Sequence, residues 1–317
     1  MRMLNRPSTG RGPGRARRLA WLSVCVALLL VGCASAPRPQ PEPPPTTPSV
    51  AVVPAPKPPP RIGLALGGGA ARGFAHVGVI QVLEEAGIRP SFVIGTSAGS
   101  LVAAIYASGR NGAQLQQIAE DMEEASLTDW TLPLFRRGVL RGDALARYVN
   151  QQVGMRPIEA MEIPLGIVAT DLHSGDSIVF RRGDTGLAVR ASSAIPALFQ
   201  PVRIGGRDYV DGGLVAPVPV RFAREMGADF VIAVDISSAP LSSGADGMLQ
   251  VLMQTFSIMG KSINALELRG ADIVVRPVLT DVGSTDFAAR KRSIEAGRAA
   301  MLAAWPALKV QLARLAR

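Results

Sequence analysis

Cysteine and aromatic residues are scarce in this chain of 317 residues. Its two cysteines, Cys25 and Cys33, are too few for a disulfide framework, a cysteine-based zinc site or a CxxC redox motif. Aromatic residues make up only 5% of the sequence, which leaves little material for the base-stacking surfaces of proteins that bind single-stranded nucleic acid. The composition therefore excludes a disulfide-stabilised fold and argues against a nucleic-acid-binding protein.

Acidic residues are missing from the first 32 positions, which hold six of the 34 lysines and arginines. The rest of the chain has 28 basic and 25 acidic residues, so the net charge of +9 mostly reflects this N-terminal segment. No other run of basic residues stands beside aromatic residues. The charge pattern therefore predicts a targeting segment and no nucleic-acid partner.

Residues 1–32 have the layout of a bacterial lipoprotein signal peptide. A basic stretch precedes the apolar run 19–30, which is too short to span a bilayer as a mature helix. Leu30-Val31-Gly32-Cys33 follows and resembles the lipobox, in which the cysteine receives a diacylglyceryl group. We expect a membrane-anchored lipoprotein that faces the periplasm or the cell surface. By resemblance to the enterobacterial sorting rule, Ala34 rather than aspartate after the cysteine favours the outer membrane. An ordinary signal peptide cut elsewhere and an uncut anchor are the alternatives.

Twelve prolines fall between residues 37 and 60. Such a density predicts an extended polyproline II conformation rather than helix or sheet. We therefore expect residues 33–60 to comprise the lipidated cysteine and a semi-rigid spacer. Residues 61–317 are expected to form the folded domain, with a helical C-terminal part.

Arg61 begins an alternation of strands, glycine-rich turns and helices. The apolar run 61–66 predicts a buried strand, and the spacing of apolar residues over 74–86 predicts a helix that ends before Gly87. Further strands are expected at 91–94, 165–170, 177–180, 230–235 and 273–275. Further helices are expected at 97–108, 112–125, 143–152, 217–227, 248–268 and 286–316, the last kinked or interrupted by Pro306. Alternation of this kind predicts a parallel α/β architecture.

Gly95-Thr96-Ser97-Ala98-Gly99 is a GxSxG motif between a predicted strand and a predicted helix. In a nucleophile elbow the serine occupies a strained backbone conformation, and flanking glycines remove side chains that would collide. The N-terminus of the following helix stabilises negative charge beside the serine. Ser97 is therefore the candidate nucleophile.

Gly67-Gly68-Gly69-Ala70-Ala71-Arg72-Gly73 joins the first strand to the first helix, and its glycines expose backbone N–H groups. A dinucleotide fingerprint fails because Arg72 stands where the third glycine belongs, and a P-loop fails because Phe74 follows Gly73. The loop is therefore interpreted as an oxyanion hole with donors from Gly68 and Gly69. Arg72 either fixes the loop, attracts a lipid phosphate or forms a structural ion pair.

Asp211-Gly212-Gly213 follows a short predicted strand, although an isolated triplet of this kind is usually a simple turn. The two histidines of the chain favour a role for the aspartate. His76 lies too close to the glycine loop to be a separate base, and His173 has only Asp171, two residues away, as an acid between it and Ser97. A serine–aspartate dyad therefore fits better than a Ser-His-Asp triad.

Together, Gly67–Gly73, Gly95–Gly99 and Asp211–Gly213 resemble the bacterial patatin-like phospholipases in content, order and spacing. Segments 169–172 and 191–201 add to a resemblance that covers residues 61–235 well and the rest weakly. It implies a three-layer α/β/α fold with a mostly parallel central sheet and a dyad of Ser97 and Asp211. It also implies a membrane lipid as substrate and no metal or other cofactor.

The expected function is hydrolysis of a carboxylic ester in a phospholipid or related lipid, through an acyl-enzyme on Ser97. Acyl transfer to an acceptor other than water is a second interpretation, and a non-catalytic surface lipoprotein on the same fold is a third. The apolar segment 127–137, flanked by arginines, fits either a flap that touches acyl chains or a packed connector.

Overall fold

The computed structural model describes residues 58–122, 138–237, 247–283 and 285–315. The chain divides into two compact units, Met1–Pro54 and Ala55–Arg317, and all described residues belong to the second. The expectations for the signal peptide, for Cys33, for most of the proline-rich spacer and for segment 127–137 lie outside the described residues. Within those ranges, no helix combines the length and the hydropathy needed to cross a bilayer.

A mostly parallel, eight-stranded sheet lies at the centre of the described unit. The strands of the described residues are β1 (Ile62–Leu66), β2 (Phe92–Thr96), β3 (Gly138–Leu140), β4 (Leu165–Asp171), β5 (Ser177–Phe180), β6 (Ala197–Phe199), β7 (Val202–Ile204), β8 (Arg207–Asp211), β9 (Phe230–Val234) and β10 (Ile273–Val275). Their order is β10-β9-β1-β2-β4-β8-β7, with β5 also paired to β4, while β3 and β6 form a separate pair. The pairs from β10 to β4 are parallel, and β5, β7 and β8 are antiparallel to their neighbours.

Helices cover both faces of this sheet. They are α1 (Ala75–Glu85), α2 (Ala98–Ala107), α3 (Gly112–Asp121), α4 (Asp143–Gln152), α5 (Thr185–Ser192), α6 (Val220–Glu225), α7 (Met248–Glu267) and α8 (Arg290–Leu315). Alternate strand residues face opposite layers: Leu64 and Val93 belong to a large core with α1–α5 and α8, whereas Ala65 and Ile94 belong to a smaller core with α6. The expected three-layer α/β/α arrangement with a mostly parallel sheet is confirmed.

Several helices differ from the sequence expectations: α3 ends at Asp121 rather than at 125, and α5 was not expected. Helix α8 continues through Pro306, which was expected to kink or interrupt it, so the expected interruption is wrong. Pro306 is exposed, so the carbonyl group that it leaves without an N–H partner is on the solvent side of the helix. Helix α6 starts at Val220 rather than at 217, because Pro217 and Pro219 delay its first turn.

Glycines bring α8 into direct backbone contact with α1. A Cβ atom on Gly78 would collide with the carbonyl oxygen of Ile294, and one on Gly297 would collide with that of Ala75. These two contacts hold the C-terminal helix against the helix that follows the glycine loop. The weakly matching C-terminal third is therefore an integral part of the larger core.

Strands β2 and β8 meet end to end along one edge of β4. Strand β2 pairs with residues 165–168 of β4, and β8 pairs with residues 169–171. Strand β5 pairs with residues 167–170, so it occupies the opposite edge from both β2 and β8. Strands β2 and β8 run in opposite directions and end at Thr96 and Asp211. Thr96 lies beside Val168, and Asp211 lies beside the next residue of β4, Ala169.

Candidate active site

Ser97 lies in the sharp turn between β2 and α2, with φ 51° and ψ −123°. A positive φ is uncommon for a residue other than glycine. Ala70, in the glycine loop, also has a φ of 51°, and these two are among only four such residues in the described part of the chain. Backbone strain of this kind concentrates at functional sites. The structure thus has the strained turn that the GxSxG motif predicts.

Gly95 and Gly99 are needed because backbone segments approach closely around the elbow. A Cβ atom on Gly95 would collide with the carbonyl group of Gly99, and one on Gly99 would collide with the carbonyl oxygens of Leu66 and Gly67. Helix α2 therefore begins in contact with the ends of β1 and β2. Its N-terminus, with unpaired N–H groups and a positive dipole end, lies directly beside Ser97.

The Ser97 hydroxyl donates a hydrogen bond to Asp211 Oδ2 over 2.8 Å. The other carboxylate oxygen of Asp211 accepts from the N–H group of Gly213 at 2.7 Å. Gly212 allows this turn to pack against β4, since a Cβ atom there would collide with the carbonyl oxygen of Val168. The three residues of the Asp-Gly-Gly motif thus hold one carboxylate oxygen and aim the other at Ser97.

Burial raises the pKa of Asp211 from 3.8 to about 6. The hydrogen bonds from Gly213 and Ser97 act in the opposite direction, because they favour the charged carboxylate. A carboxylate with a pKa of about 6 is ionised at neutral pH and is a stronger base than an ordinary aspartate. The environment of Asp211 is therefore suited to accept a proton from the Ser97 hydroxyl.

Ser192 supports the elbow from α5 and was assigned no role in the sequence analysis. Its hydroxyl accepts the N–H group of Ser97 at 2.8 Å and donates to the carbonyl oxygen of Val168 at 2.5 Å. It therefore links the strained turn to β4, beside the point where β2 and β8 meet. Ser192 lies within segment 191–201, which contributed to the family resemblance, and this was the only signal for it.

Two N–H groups of the glycine loop, one of them an expected oxyanion donor, already donate hydrogen bonds within the protein. Gly67 donates to the carbonyl oxygen of Val234 at 3.0 Å, and Gly68 donates to that of Pro217 at 2.9 Å. The expectation that Gly68 is an oxyanion donor is therefore corrected. The N–H groups of Gly69 and Ala70 make no hydrogen bond to any residue that the structure describes, and both residues share a pocket with Ser97.

Three other loop positions keep the loop in place. Gly68 lets it approach the elbow, since a Cβ atom there would lie 3.2 Å from Ser97 Cβ. Gly73 packs on the start of α2, where an added Cβ would lie 2.9 Å from Ala98 Cβ. Arg72 is buried, and its Nε donates to the carbonyl oxygen of Gly69 at 3.2 Å. Of the roles considered for Arg72, this contact supports fixing the loop.

Neither histidine contacts Ser97 or Asp211 within the described residues. His76 is fully buried in α1, and burial lowers its pKa to about 4, so the ring is neutral and Nε2 donates to the carbonyl oxygen of Gly67. His173 lies in the turn after β4, and its backbone N–H group donates to Asp171 Oδ1. Asp171 also pairs with Arg207 at 3.0 Å, so that acid is engaged elsewhere.

A cavity of about 330 Å³ opens beside Ser97 on the side of the larger core. Its walls come from the glycine loop, from α1–α4, from β3 and β6 and from residues near 285–287, and they are almost entirely apolar. They include Phe74, Leu101, Val102, Ile105, Leu115, Ile118, Ala119 and Met122. Ile105 lies eight residues after Ser97, which corresponds to about 12 Å along α2. The cavity therefore runs from the serine into the core and has the character of a site for a hydrocarbon chain.

A second pocket of about 160 Å³ lies on the opposite side of Ser97, against α7. Both Ser97 and Asp211 line it, together with Gly69 and Ala70. Its wall on α7 is formed by Met253, Phe256, Ser257, Gly260, Lys261 and Asn264. Ser97 thus stands between an apolar cavity and a smaller pocket that contains a lysine.

Acidic and histidine side chains do not gather into a metal-binding group anywhere in the described ranges. Asp211 is committed to Ser97 and Gly213, and Asp171 to the turn after β4 and to Arg207.

Comparisons with known proteins agree with this geometry. The family model described as Patatin-like phospholipase matches residues 64–224. An uncharacterized NTE family protein of Mycobacterium tuberculosis is 35% identical over 207 residues, which cover 65% of this chain and 57% of that protein. Patatin-like phospholipase domain-containing protein 6 of the mouse is 34% identical over 185 residues, which cover 56% of this chain and 14% of the mouse protein.

Fold comparison gives the same architecture. The crystal structure of VipD from Legionella pneumophila matches with a TM-score of 0.54 at 15% identity, and the match covers 78% of this chain and 67% of that one. This likeness concerns the fold alone. The chain spans little more than half the length of the mycobacterial relative.

Proposed function

The chain belongs to the patatin-like phospholipase family, and on that premise we propose that it hydrolyses carboxylic esters of lipids through an acyl-enzyme on Ser97. The observation that carries this proposal is the 2.8 Å hydrogen bond from the Ser97 hydroxyl to Asp211, at the mouth of an apolar cavity. The cavity matches an acyl chain in shape and polarity. Phospholipids and related ester lipids are the proposed substrate class.

In the proposed reaction, Ser97 Oγ attacks the ester carbonyl carbon while its proton passes to Asp211 Oδ2. The N–H groups of Gly69 and Ala70, with the N-terminus of α2, stabilise the negative oxygen of the tetrahedral intermediate. The bond to the alcohol then breaks, and the proton on Asp211 passes to the departing oxygen. A water molecule next attacks the acyl-enzyme, with Asp211 again as base, and releases the fatty acid and free Ser97.

The dyad assignment rests on contacts and on basicity. Asp211 touches the nucleophile directly, whereas the ring of His76 is bonded to the carbonyl oxygen of Gly67 and His173 is exposed in the turn after β4. The raised pKa of Asp211, about 6, improves its strength as a base while leaving it ionised at neutral pH. A direct serine–aspartate pair is therefore sufficient for both proton transfers.

Labelling with a fluorophosphonate probe tests the nucleophile. The probe should modify Ser97, and Ser97→Ala should lose both labelling and hydrolysis of a soluble short-chain ester. Ser108→Ala, which removes another buried hydroxyl from the far end of the same helix, is the matched control and should keep both. Labelling of a different serine, or unchanged turnover in Ser97→Ala, would show that the nucleophile is elsewhere. Products formed with added alcohols or lysolipids distinguish hydrolysis from acyl transfer.

We also propose, from the sequence, that Cys33 is lipidated and that residues 33–60 tether the catalytic domain to a membrane, as expected for an outer-membrane lipoprotein. The support is the lipobox-like Leu30-Val31-Gly32-Cys33 after a short apolar run. Cys33→Ser should leave an unprocessed precursor without attached lipid. Mass spectrometry that finds an unmodified N-terminus away from residue 33 would refute the proposal.

A further inference from the structure

Helix α7 has two opposite faces, and only one of them is accounted for by the pocket at Ser97. The inner face carries Met253, Phe256, Ser257, Gly260 and Asn264, which line that pocket, and the exposed Lys261 lies at the edge between this face and the outer one. Asn264 is buried, and its side-chain oxygen accepts the N–H group of Val218 at 3.1 Å. This face therefore attaches α7 to the catalytic unit and forms one wall beside the nucleophile.

The outer face of α7 is apolar and exposed. Val251, Ile258 and Leu266 are 52%, 52% and 67% exposed, and Met259 is 45% exposed. Positions 251, 255, 258, 262 and 266 follow the spacing of one helical stripe, and the two polar members, Thr255 and Ser262, are small and uncharged. We define these five positions and Met259 as the α7 stripe. None of the described residues covers it.

Helix α8 shows what an ordinary exposed helix of this chain looks like. Leu302 and Val310 are each 53% exposed, which matches Val251 and Ile258. The exposed neighbours of Leu302 on the helix surface are small and uncharged, namely Ala299, Ala303 and Pro306, and other exposed positions of α8 carry both signs of charge, among them Lys291, Arg292, Glu295, Lys309 and Arg314. Large apolar residues scattered among alanines and charges need no special explanation, whereas four large apolar side chains on one uncharged stripe mark an interaction surface.

The exposed charges on α7 and on the short 3-10 turn after it are positive. Lys261 and Arg269 are exposed, on α7 and on the short 3-10 turn that continues it. The acidic residue of α7, Glu267, is buried against Arg221 and so offers no negative charge to a partner. An apolar stripe beside exposed cations fits the interfacial region of a bilayer with anionic headgroups.

We propose that the α7 stripe docks on an anionic lipid bilayer and places the pocket of Ser97 at the membrane surface. This inference rests on the proposed function, because a lipid ester must pass from the bilayer to a serine that the inner face of the same helix borders. The apolar side chains enter the boundary between headgroups and acyl chains, while Lys261 and Arg269 contact phosphate groups.

Tryptophan placed on the stripe measures this docking directly. The full chain carrying Ile258→Trp is mixed with vesicles of phosphatidylcholine and phosphatidylglycerol whose acyl chains carry bromine, a quencher that acts at short range. Leu302→Trp on α8 is the matched control, since the two positions have nearly equal exposure. The parent chain gives the background from its own three tryptophans. Quenching is expected for Ile258→Trp at several times the level of Leu302→Trp.

Paired charge substitutions connect docking with catalysis. Val251→Glu with Ile258→Glu should lower hydrolysis of vesicle lipid at least tenfold while leaving hydrolysis of a soluble short-chain ester unchanged. Leu302→Glu with Val310→Glu should change neither. Equal quenching at positions 258 and 302, or equal losses in the two pairs, would overturn the docking proposal. A concentration-dependent dimer that Ile258→Glu dissociates would also overturn it, by assigning the stripe to a second copy.

The two proposals fail in different ways. An active parent chain whose stripe stays unquenched contradicts docking and leaves the ester hydrolase intact. A parent chain inactive on the soluble ester contradicts the proposed hydrolase, whatever its behaviour on vesicles.

Discussion

The two sides of Ser97 are built from different parts of the molecule. The acyl-sized cavity is cut into the larger core, where Ile105, Leu115 and Ala119 are each only 3% exposed. The pocket on the other side is closed by α7, where Met253 and Phe256 are half-buried and Lys261 is exposed. One wall is thus continuous with the packed interior, and the other is a single helix attached from outside.

This difference indicates that the two sides bind different parts of the substrate. Packed interiors resist changes of volume, so the cavity side is suited to select an acyl chain by length. The α7 side has fewer buried contacts and is suited to accept varied alcohol groups and to face a membrane. Ser97 and Asp211 lie between the cavity and the second pocket, so their substitution should reduce turnover equally for every substrate.

Substitution of either dyad residue should have the largest effect on turnover. The loss should be the same for all esters, whichever side of Ser97 their groups occupy. Asp211→Asn is expected to lower turnover by about 10³-fold or more on all esters, nearly as far as Ser97→Ala, because the pair acts as a unit. The double variant should be barely worse than either single one. Steady-state rates on a soluble ester and on a phospholipid measure this. If Asp211→Asn were active while a folded His173→Ala were inactive, Asp211 would not be the catalytic base.

Low pH should reduce the reaction rate because it protonates Asp211. Because the pKa of this carboxyl is about 6, the rate should fall to half near pH 6 and about tenfold for each further pH unit. The pH profile of kcat/KM for a soluble ester measures this. A profile that stays flat to pH 4.5 would contradict Asp211 as the base.

Stability should change with pH in the opposite sense to activity. The pKa of Asp211 is about 6 in the folded chain and 3.8 in its model state, so the folded state binds the proton more tightly and loses stability as the pH rises between these values. Asp211→Asn removes that cost and should raise the free energy of unfolding at pH 8 by up to about 3 kcal/mol. The difference between variant and parent in chemical denaturation should disappear near pH 4.

The cavity side should respond to a change of volume. Ile105→Phe adds bulk about 12 Å from Ser97 along α2, so long-chain esters should lose about tenfold in kcat/KM relative to short-chain esters. Ile80→Phe adds the same bulk at a buried position that does not line the cavity. That control should lower the melting temperature without altering chain-length preference. Parallel shifts in preference in both variants would contradict the assignment of the cavity to the acyl chain.

The α7 side should show the smallest effect. Lys261→Gln removes the lysine of the second pocket, and a single exposed contact to a phosphate is worth only a few-fold. Hydrolysis of an anionic phospholipid should therefore fall two- to fivefold, whereas an uncharged glyceride should be unaffected. Lys309→Gln on α8 provides the control for a general loss of positive charge. An equal decrease on both lipids would mean that Lys261 does not contact the headgroup.

The site shows where sequence reasoning succeeds and where it stops. The strained serine, its flanking glycines and the Asp-Gly-Gly turn were identified because each depends on local backbone geometry that leaves a local signature. The use of the Gly68 N–H group by Pro217 was not predictable in this way, because it depends on a segment about 150 residues away. The support from Ser192 was missed for the same reason.

The sequence by itself determined the α/β alternation, the candidate nucleophile, the candidate base and the family, since these follow from apolar periodicity and from glycine at positions that tolerate no side chain. Only the tertiary structure decided that Ser97 and Asp211, 114 residues apart, form a hydrogen bond. That contact arises because β2 and β8 end against neighbouring residues of β4, and strand register is a property of the assembled sheet. The tertiary structure also decided the position of α7. One face of this helix closes the pocket and the other stays exposed, and this difference arises only when the helix packs on the folded unit.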